Sequence, residues 1–145
     1  MKPTLAFALG LALSLAAGPL QARDDRQQYS IEAALAEGRA KGVLDDAIQL
    51  HFGPDSAPAF QSRMGEYTAN KKTNAFNKSD QEACHWAFLS AVRSLQARAR
   101  KEGGDAVVDI RSYYKKGDFR SASEFECGAG AIMAGVTLVG TVVKR

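Results

Sequence analysis

The chain has 145 residues, of which 46% are hydrophobic and 24% are charged, and this length and balance fit one folded domain. The low proline count and the ordinary charge exclude a disordered chain or a fibrous repeat. Lys and Arg number 19 against 16 Asp and Glu, and the formal net charge of +3 is spread along the chain. Nucleic-acid-binding domains concentrate their basic charge in one footprint, so we predict no nucleic-acid partner.

The amino terminus has the three parts of a secretory signal. Lys2 supplies the basic start, an apolar run follows over residues 5–17, and the small residue Ala22 closes the segment. We predict a signal peptide over residues 1–22, cleaved near Ala22, and a periplasmic or secreted domain over residues 23–145. The apolar run is shorter than the roughly 20 residues that cross a bilayer, so we expect no stable membrane span after cleavage, and an uncleaved anchor is the alternative.

Cys84 and Cys127 are the two cysteines of the chain. An even number of cysteines in an exported chain predicts a disulfide, because the compartments outside the cytoplasm are oxidising. A metal pair and a redox-active pair are the alternatives, but metal sites take four ligands in close clusters and redox pairs usually form C-x-x-C motifs. The sequence therefore predicts a structural disulfide, with no metal site and no cofactor.

The first half of the mature chain alternates short elements with turns. Its polar start, residues 23–28, predicts a frayed segment. Apolar residues at helical spacing after a serine predict a short helix over residues 31–40. Apolar and polar residues alternate over residues 48–52, which predicts a half-buried strand. Residues 60–76 predict a second, irregular strand followed by a loop rich in Asn and Lys.

The clearest element begins at Ser79. This serine stands three residues before Glu82, which is the spacing of a capping box at a helix start. Gly103 and Gly104 end the helical pattern. The sequence predicts a long helix between them with an apolar face formed by Cys84, Ala87, Phe88, Ala91, Val92, Leu95 and Ala99.

After Asp105 the apolar period changes from about 3.6 to 2, which is typical of strands. Residues 106–114 predict a strand, the next four residues a turn with Gly117 at the permissive position, and residues 119–127 the returning strand. The last run, residues 128–144, is rich in Gly and β-branched residues and predicts a strand rather than a membrane helix. The expected fold is α+β, with one long helix packed on an antiparallel sheet and clamped to a strand by the disulfide.

Catalytic motifs are absent from the sequence: it has no phosphate-binding loop, nucleophile elbow or zinc-protease motif. We therefore predict no catalytic residues. A small hydrolase that uses His51 or the acidic pair Glu124 and Glu126 is one alternative. A periplasmic metal-binding protein is the other, and it requires free thiolates from both cysteines beside His85.

Two basic doublets suggest a binding surface. Lys71-Lys72 and Lys115-Lys116, the second beside Tyr113-Tyr114, offer positive charge to an envelope protein, an anionic envelope polymer or lipid headgroups. Solvated loop tips are the alternative explanation of both doublets. The candidate interaction surface consists of Lys71, Lys72, Tyr113, Tyr114, Lys115 and Lys116.

Two stretches of the chain carry a family resemblance. TNAFNKSDQEACHWAFLSAVRSLQARARKEGGDAVVDIRSYYKK, residues 73–116, and ECGAGAIMAGVTLVGTVVK, residues 126–144, resemble a group of small exported bacterial proteins often labelled "excinuclease ATPase subunit". An excinuclease ATPase needs phosphate-binding motifs and access to cytoplasmic DNA. This chain has no such motif and begins with an export signal, so we predict that it is not an excinuclease ATPase.

A more distant resemblance concerns the fold. Gly65-Glu66 before a loop, the alanine-rich helix, the segment GGDAVVDI and the final small-residue strand resemble the YbjQ/RcsF-like α+β fold. RcsF is an envelope-stress sensor lipoprotein, and this chain lacks its lipidated cysteine, its Pro-rich linker and its second disulfide, so the sensor role does not carry over. We predict an exported, non-enzymatic binding or stress-related interaction module.

Overall fold

A computed structural model describes residues 23–145, and the predicted signal peptide lies outside the described residues. This part of the chain forms two helices and seven strands. In chain order they are β1 Asp25–Ser30, α1 Ile31–Ala40, β2 Gln49–Phe52, β3 Ser62–Asn74, α2 Asp80–Glu102, β4 Ala106–Tyr114, β5 Gly117–Phe119, β6 Glu124–Ala129 and β7 Met133–Lys144.

The predicted start and end of the long helix α2 are both confirmed. The Ser79 hydroxyl accepts a hydrogen bond from the Glu82 N–H at 3.1 Å, which satisfies one of the free donors of the first turn. Gly103 ends the helix in the left-handed conformation, with φ of 81°. Every residue predicted for the apolar face is buried. Within residues 23–145, no helix is long and apolar enough to cross a membrane.

Strand β7 is the centre of the sheet. It pairs antiparallel with β3 along one side, and β4 and β6 share its other side. Strand β1 extends the sheet beyond β6, while β2 and β5 pair with β4. The residues of β7 from Ala134 to Val143 are all buried, as expected for a strand with neighbours on both sides. The final apolar run, predicted as one strand over residues 128–144, is a strand only from Met133 onward, because Gly128 and Ala129 instead end β6.

Helix α2 packs across the sheet and holds the core together. The ring of Phe88 stacks on that of Phe125, with the centroids 4.2 Å apart. One turn earlier in the helix, Cys84 forms a disulfide with Cys127 of β6, with the Cα atoms 5.9 Å apart. Both cysteines are fully buried. The predicted helix-to-strand disulfide and the α+β class are confirmed.

Helix α1 and strand β2 lie where the sequence places them. Ser30 caps α1 by accepting the Ala33 N–H at 3.1 Å. The connection from α1 to β2 is fixed by the buried side chain of Gln96, which binds both backbone groups of Asp45 and donates to the Ile48 carbonyl at 3.1 Å. The half-buried strand that the apolar alternation predicts is confirmed as β2.

Two predicted loops are strands instead. Residues 23–28 were expected to fray, yet β1 pairs with β6 over six positions, with Tyr29 opposite Phe125. The Asn/Lys-rich segment was expected to be a loop, yet β3 continues through Lys71 and Lys72 to Asn74 along the full length of β7. Pairing with a buried neighbour overrides the weak strand propensity of these polar residues.

The hairpin predicted after β4 is shorter in the structure than the sequence indicates. Its returning strand is limited to β5, because the Ser121 hydroxyl accepts the N–H groups of Ser123 and Glu124 and turns the chain toward β1 and β7. The expectation of an antiparallel sheet fails at one pair, since β2 runs parallel to β4. Parallel neighbours need a long crossover, and here β3 and α2 supply it.

Candidate functional site

A pair of facing glycines forms the floor of the candidate site. Gly128 of β6 lies opposite Gly135 of β7, and the ring of Tyr114 lies over both. A Cβ atom on Gly128 would stand 2.1 Å from the Tyr114 hydroxyl oxygen, and one on Gly135 would stand 3.4 Å from the ring. The missing side chains therefore make the slot in which this aromatic ring lies.

The amino-terminal segment fixes the Tyr114 ring from the other side. The Tyr114 hydroxyl donates to Asp24 Oδ1 at 2.8 Å, and the ammonium of Lys115 also binds the Asp24 carboxylate. Hydrogen bonds from Lys115 and then from Tyr114 lower the pKa of Asp24. Burial, followed by the bond to Asp24, raises the pKa of Tyr114 to about 12. At neutral pH the phenol is thus a neutral donor to a carboxylate.

These residues line a groove, which we call the basic groove, with a volume of about 590 Å³. Lys72 from β3 and Lys115 from the β4–β5 turn supply its positive charge, together with Arg23. Ile132 of the β6–β7 loop and Met133, the first residue of β7, supply an apolar wall. Long basic side chains around an apolar wall suit a ligand that is anionic and partly apolar.

The β4–β5 turn holds its lysines in an unusual conformation. Lys115 and Lys116 have φ values of 48° and 64°, which is the left-handed pair of a two-residue type I′ hairpin turn. Gly117, predicted at the permissive position, instead begins β5. Asn-Gly is the sequence that this turn favours, so two lysines here cost stability and leave their charge at the rim of the groove.

The predicted interaction surface is brought together in part. Lys72, Tyr114 and Lys115 converge on the basic groove, although the doublets are more than forty positions apart in the chain. Lys71 and Tyr113 do not line it. Lys71 lies next to Lys72 in β3, so the expectation of a loop-tip doublet is wrong for this pair. Lys116 stands beside the groove in the turn.

Sequence reasoning missed the apolar part of the site. Ile132 and Met133 were assigned to the final strand region without a role, and Arg23 was placed in a frayed segment. The available signal was the glycine pattern around Gly128 and Gly135, because glycines facing each other in neighbouring strands allow a large ring to lie across them. The partner ring, Tyr114, is identified only by the three-dimensional structure.

The hydrolase alternative has a cavity but no assembled catalytic group. His51 lines a cavity of about 400 Å³ with Ser56 and Ser123. His51 and Ser56 are not hydrogen-bonded to each other. His51 Nε2 lies 3.2 Å from the Gln49 side chain, and the Ser56 hydroxyl donates to a backbone carbonyl. Glu124 and Glu126 do not line this cavity. The sequence-predicted acid and base candidates are therefore not brought together.

The metal-binding alternative requires free thiolates, and the two cysteines do not supply them because Cys84 and Cys127 are bonded to each other. His85 is buried, and its Nδ1 lies 2.8 Å from a carboxylate oxygen of Glu37, which joins α1 to α2. Hydrogen bonds from Lys41 and then from His85 lower the pKa of Glu37. Within residues 23–145, no group of three or more His, Cys, Asp or Glu side chains is arranged to hold a metal ion.

A second charged cluster surrounds Arg111, whose side chain is 12% exposed. Its guanidinium lies 3.0 Å from Asp118 and 3.5 Å from both Glu66 and Asp109, in contacts that are ionic rather than aligned hydrogen bonds. Asp109 has a φ of 49° where the pairing of β4 with β7 shifts register. Arg120 adds a second guanidinium that pairs with Asp109 and Asp118, so two cations face three carboxylates around this bulge.

The fold and the groove define an α+β protein with a disulfide-clamped helix and a basic surface site. Comparison of the chain with protein-family models, with curated proteins and with solved structures found no match. The proposals below therefore depend on the chain's own residues.

Proposed function

We propose that this protein is an exported, non-enzymatic binding module that recognises an anionic component of the cell envelope through the basic groove. The observation that carries the proposal is the convergence of Lys72, from β3, with Tyr114 and Lys115, from the β4–β5 hairpin, on one groove with an apolar wall. An anionic envelope polymer, an anionic lipid surface and an acidic envelope protein share the chemistry that this groove fits.

The charge balance of the groove supports an anionic ligand. Lys115 is paired with Asp24, and Arg23 is paired with Asp25 and Asp80. Lys72 has no ion pair among the residues that the structure describes. Its ammonium is therefore free to bind a phosphate or carboxylate group of a ligand.

Cleavage of the predicted signal peptide would add to this charge. Cutting after Ala22 makes Arg23 the first residue, and Arg23 lines the basic groove. The new α-amino group has an ordinary pKa near 8 and is largely protonated at neutral pH. Export and completion of the binding site would then be one event, and the exported form would bind anions better than its precursor.

The predicted signal peptide is one reason to propose a role in the cell envelope. The helix-to-sheet disulfide also supports export, because buried structural disulfides persist in oxidising compartments. A stress-related function would follow if occupancy of the groove changed with the state of the envelope.

The test uses two anionic probes and a matched pair of variants. The protein, purified from the exported fraction of its host, is titrated with labelled polyphosphate and with vesicles of phosphatidylethanolamine and phosphatidylglycerol. Lys72→Gln and Arg63→Gln remove one exposed positive charge from opposite ends of β3. We expect salt-sensitive binding to at least one probe that Lys72→Gln weakens about fivefold and Arg63→Gln leaves unchanged.

Failure to bind either probe would contradict the proposal, as would equal effects of the two variants. Lysines on an exposed edge strand also block pairing with other chains, so the oligomeric state of each variant is measured in parallel. A Lys72→Gln variant that loses binding while it stays in the same oligomeric state supports a direct role in recognition.

A further inference from the structure

Exposed apolar side chains gather at one end of the sheet. Phe76, Ile132 and Met133 are 63%, 67% and 47% exposed, and they are the most exposed large hydrophobic residues among those described. They lie close together, because the Ala75 N–H donates to the Ile132 carbonyl at 2.7 Å and Asn74 pairs with Met133. We call these three side chains the apolar tip.

The backbone at the apolar tip is well satisfied. The Gly130 N–H donates to the Met133 carbonyl at 2.8 Å, which closes the β6–β7 loop into a tight turn. With the bond between Ala75 and Ile132, the Gly130 N–H and the carbonyls of Ile132 and Met133 all have partners within the protein. A loop closed in this way loses less hydrogen bonding when it enters an apolar interface than an open loop does.

Several cationic side chains lie beside the apolar tip, and one of them, Lys115, is paired with a carboxylate, that of Asp24. Lys72 and Lys115 line the adjoining groove, and Lys78 is held near it because its ammonium donates to the Asn74 carbonyl at 2.9 Å. Arg26 extends the positive edge, with its guanidinium 5.3 Å from the centre of the Tyr114 ring. An apolar point with a cationic collar is the arrangement that peripheral proteins present to anionic membranes.

We propose that the apolar tip and its cationic collar dock this protein on an anionic lipid bilayer. This inference rests on the proposed function and names its ligand. Ile132, Met133 and Phe76 enter the boundary between headgroups and acyl chains, while Lys72 and the neighbouring cations contact the phosphates. A soluble polyanion would occupy the cations but leave the three apolar side chains in water, whereas a lipid surface takes up both.

Insertion is tested with a reporter at the apolar tip. Ile132→Trp and the matched control Phe60→Trp place an indole at two exposed apolar positions, and Phe60 precedes β3 at its opposite end. Phosphatidylglycerol-containing vesicles with brominated acyl chains quench an indole that reaches the acyl boundary. After subtraction of the Trp86 signal of the unmodified protein, we expect quenching for Ile132→Trp and none for Phe60→Trp.

Affinity is measured by co-sedimentation with the same vesicles and with purely zwitterionic ones. Ile132→Ser and Lys72→Gln should each weaken binding to anionic vesicles by about fivefold or more, while Phe60→Ser and Arg63→Gln should not. Equal binding to both vesicle types, unchanged in every variant, would assign the adsorption to another segment and overturn the inference.

The outcomes separate this inference from the broader proposal. Binding to polyphosphate without binding to anionic vesicles overturns membrane docking and leaves the anion-binding function in place. Binding to neither probe overturns both. Vesicle binding without quenching at position 132 also overturns the inference, because the apolar tip would then stay outside the bilayer.

Discussion

Tyr114 lies over Gly128 so closely that no side chain fits between them, since a Cβ on Gly128 would stand 2.1 Å from the phenolic oxygen. The ring is held from above by the bond from its hydroxyl to Asp24. This relationship joins the residue that precedes β1, the last residue of β4 and the end of β6 at the floor of the basic groove.

Gly128→Ala should displace the Tyr114 ring and break its bond to Asp24. Forcing a methyl group into a packed site costs about 1–3 kcal/mol of unfolding free energy. In the folded protein the pKa of Tyr114 is about 12, so the phenol stays neutral to high pH and its stabilising bond is lost only as the pH rises through that value. In the variant this last tyrosine ionisation should move toward the ordinary value near 10.

Ultraviolet absorbance during an alkaline titration follows this ionisation. Tyr114→Phe is the control, because it removes the late transition while the ring keeps its place. A Gly128→Ala protein that retains the transition near pH 12 would show that the ring does not depend on the glycine.

Replacing the two lysines of the β4–β5 turn by Asn-Gly should make the protein more stable and weaken its binding to anionic vesicles. Lys115→Asn with Lys116→Gly relieves the left-handed conformation of two lysines, so we expect a gain of about 1 kcal/mol in unfolding free energy. The same change removes two positive charges beside the groove and should weaken binding to phosphatidylglycerol vesicles at least tenfold. Denaturant unfolding and co-sedimentation measure the two effects.

If stability rose and binding stayed the same, the turn would have no part in recognition. Lys41→Asn is a control for the loss of a surface charge, because it removes one exposed lysine from the end of α1, away from the groove. It should leave vesicle binding unchanged.

The disulfide between Cys84 and Cys127 should be required for full stability. It closes a loop with a sequence separation of 43, and the chain-entropy relation gives a stabilisation of about 4 kcal/mol for a loop of that length. The intact mass of the protein should be lower by about 2 Da without reductant than with it. Unfolding in denaturant with and without reductant measures the stability, and equal midpoints would contradict a structural role.

Glu37 should make the protein sensitive to acid. Because the hydrogen bonds from Lys41 and His85 lower the pKa of Glu37 in the folded state, its stabilisation is complete above the ordinary carboxyl range and is lost as the pH falls through the lowered value. The unfolding free energy of the native protein should exceed that of Glu37→Gln by about 1 kcal/mol at neutral pH, and the difference should shrink below about pH 4.

Chemical denaturation at a series of pH values tests the Glu37 contact. Glu32→Gln serves as the control, because it removes the same charge from the first turn of α1, away from His85. The assigned interaction would be contradicted if the difference in unfolding free energy between the native protein and Glu37→Gln became larger toward acid pH.

The sequence predicted those elements whose signals are local. Ser79 and Gly103 mark the ends of α2, and the apolar period identifies its buried face and the strands β2, β4 and β7. The disulfide was predicted from two cysteines in a chain with a predicted signal peptide. Each of these signals lies within one segment or follows from composition, so tertiary structure is not needed to detect them.

The missed features depend on pairing between distant segments. Residues 23–28 are polar and become a strand only because β6 lies beside them. Lys72 and Lys115 were recognised as candidates, but their meeting depends on β7 and β6 bringing Gly135 beside Gly128. The apolar tip was missed because Ile132 and Met133 sit in a long apolar run that reads as core, and their exposure is a property of the folded loop.

The most direct test of the account is to map where an anionic ligand binds. Amide chemical shifts of the protein, with its disulfide intact, are recorded during titration with small bicelles that contain phosphatidylglycerol. We predict that the largest changes fall at Lys72, Tyr114, Lys115 and the loop from Gly130 to Met133, and that they disappear in Lys72→Gln at raised salt. Changes centred on the His51 cavity, with the basic groove unaffected, would contradict the account.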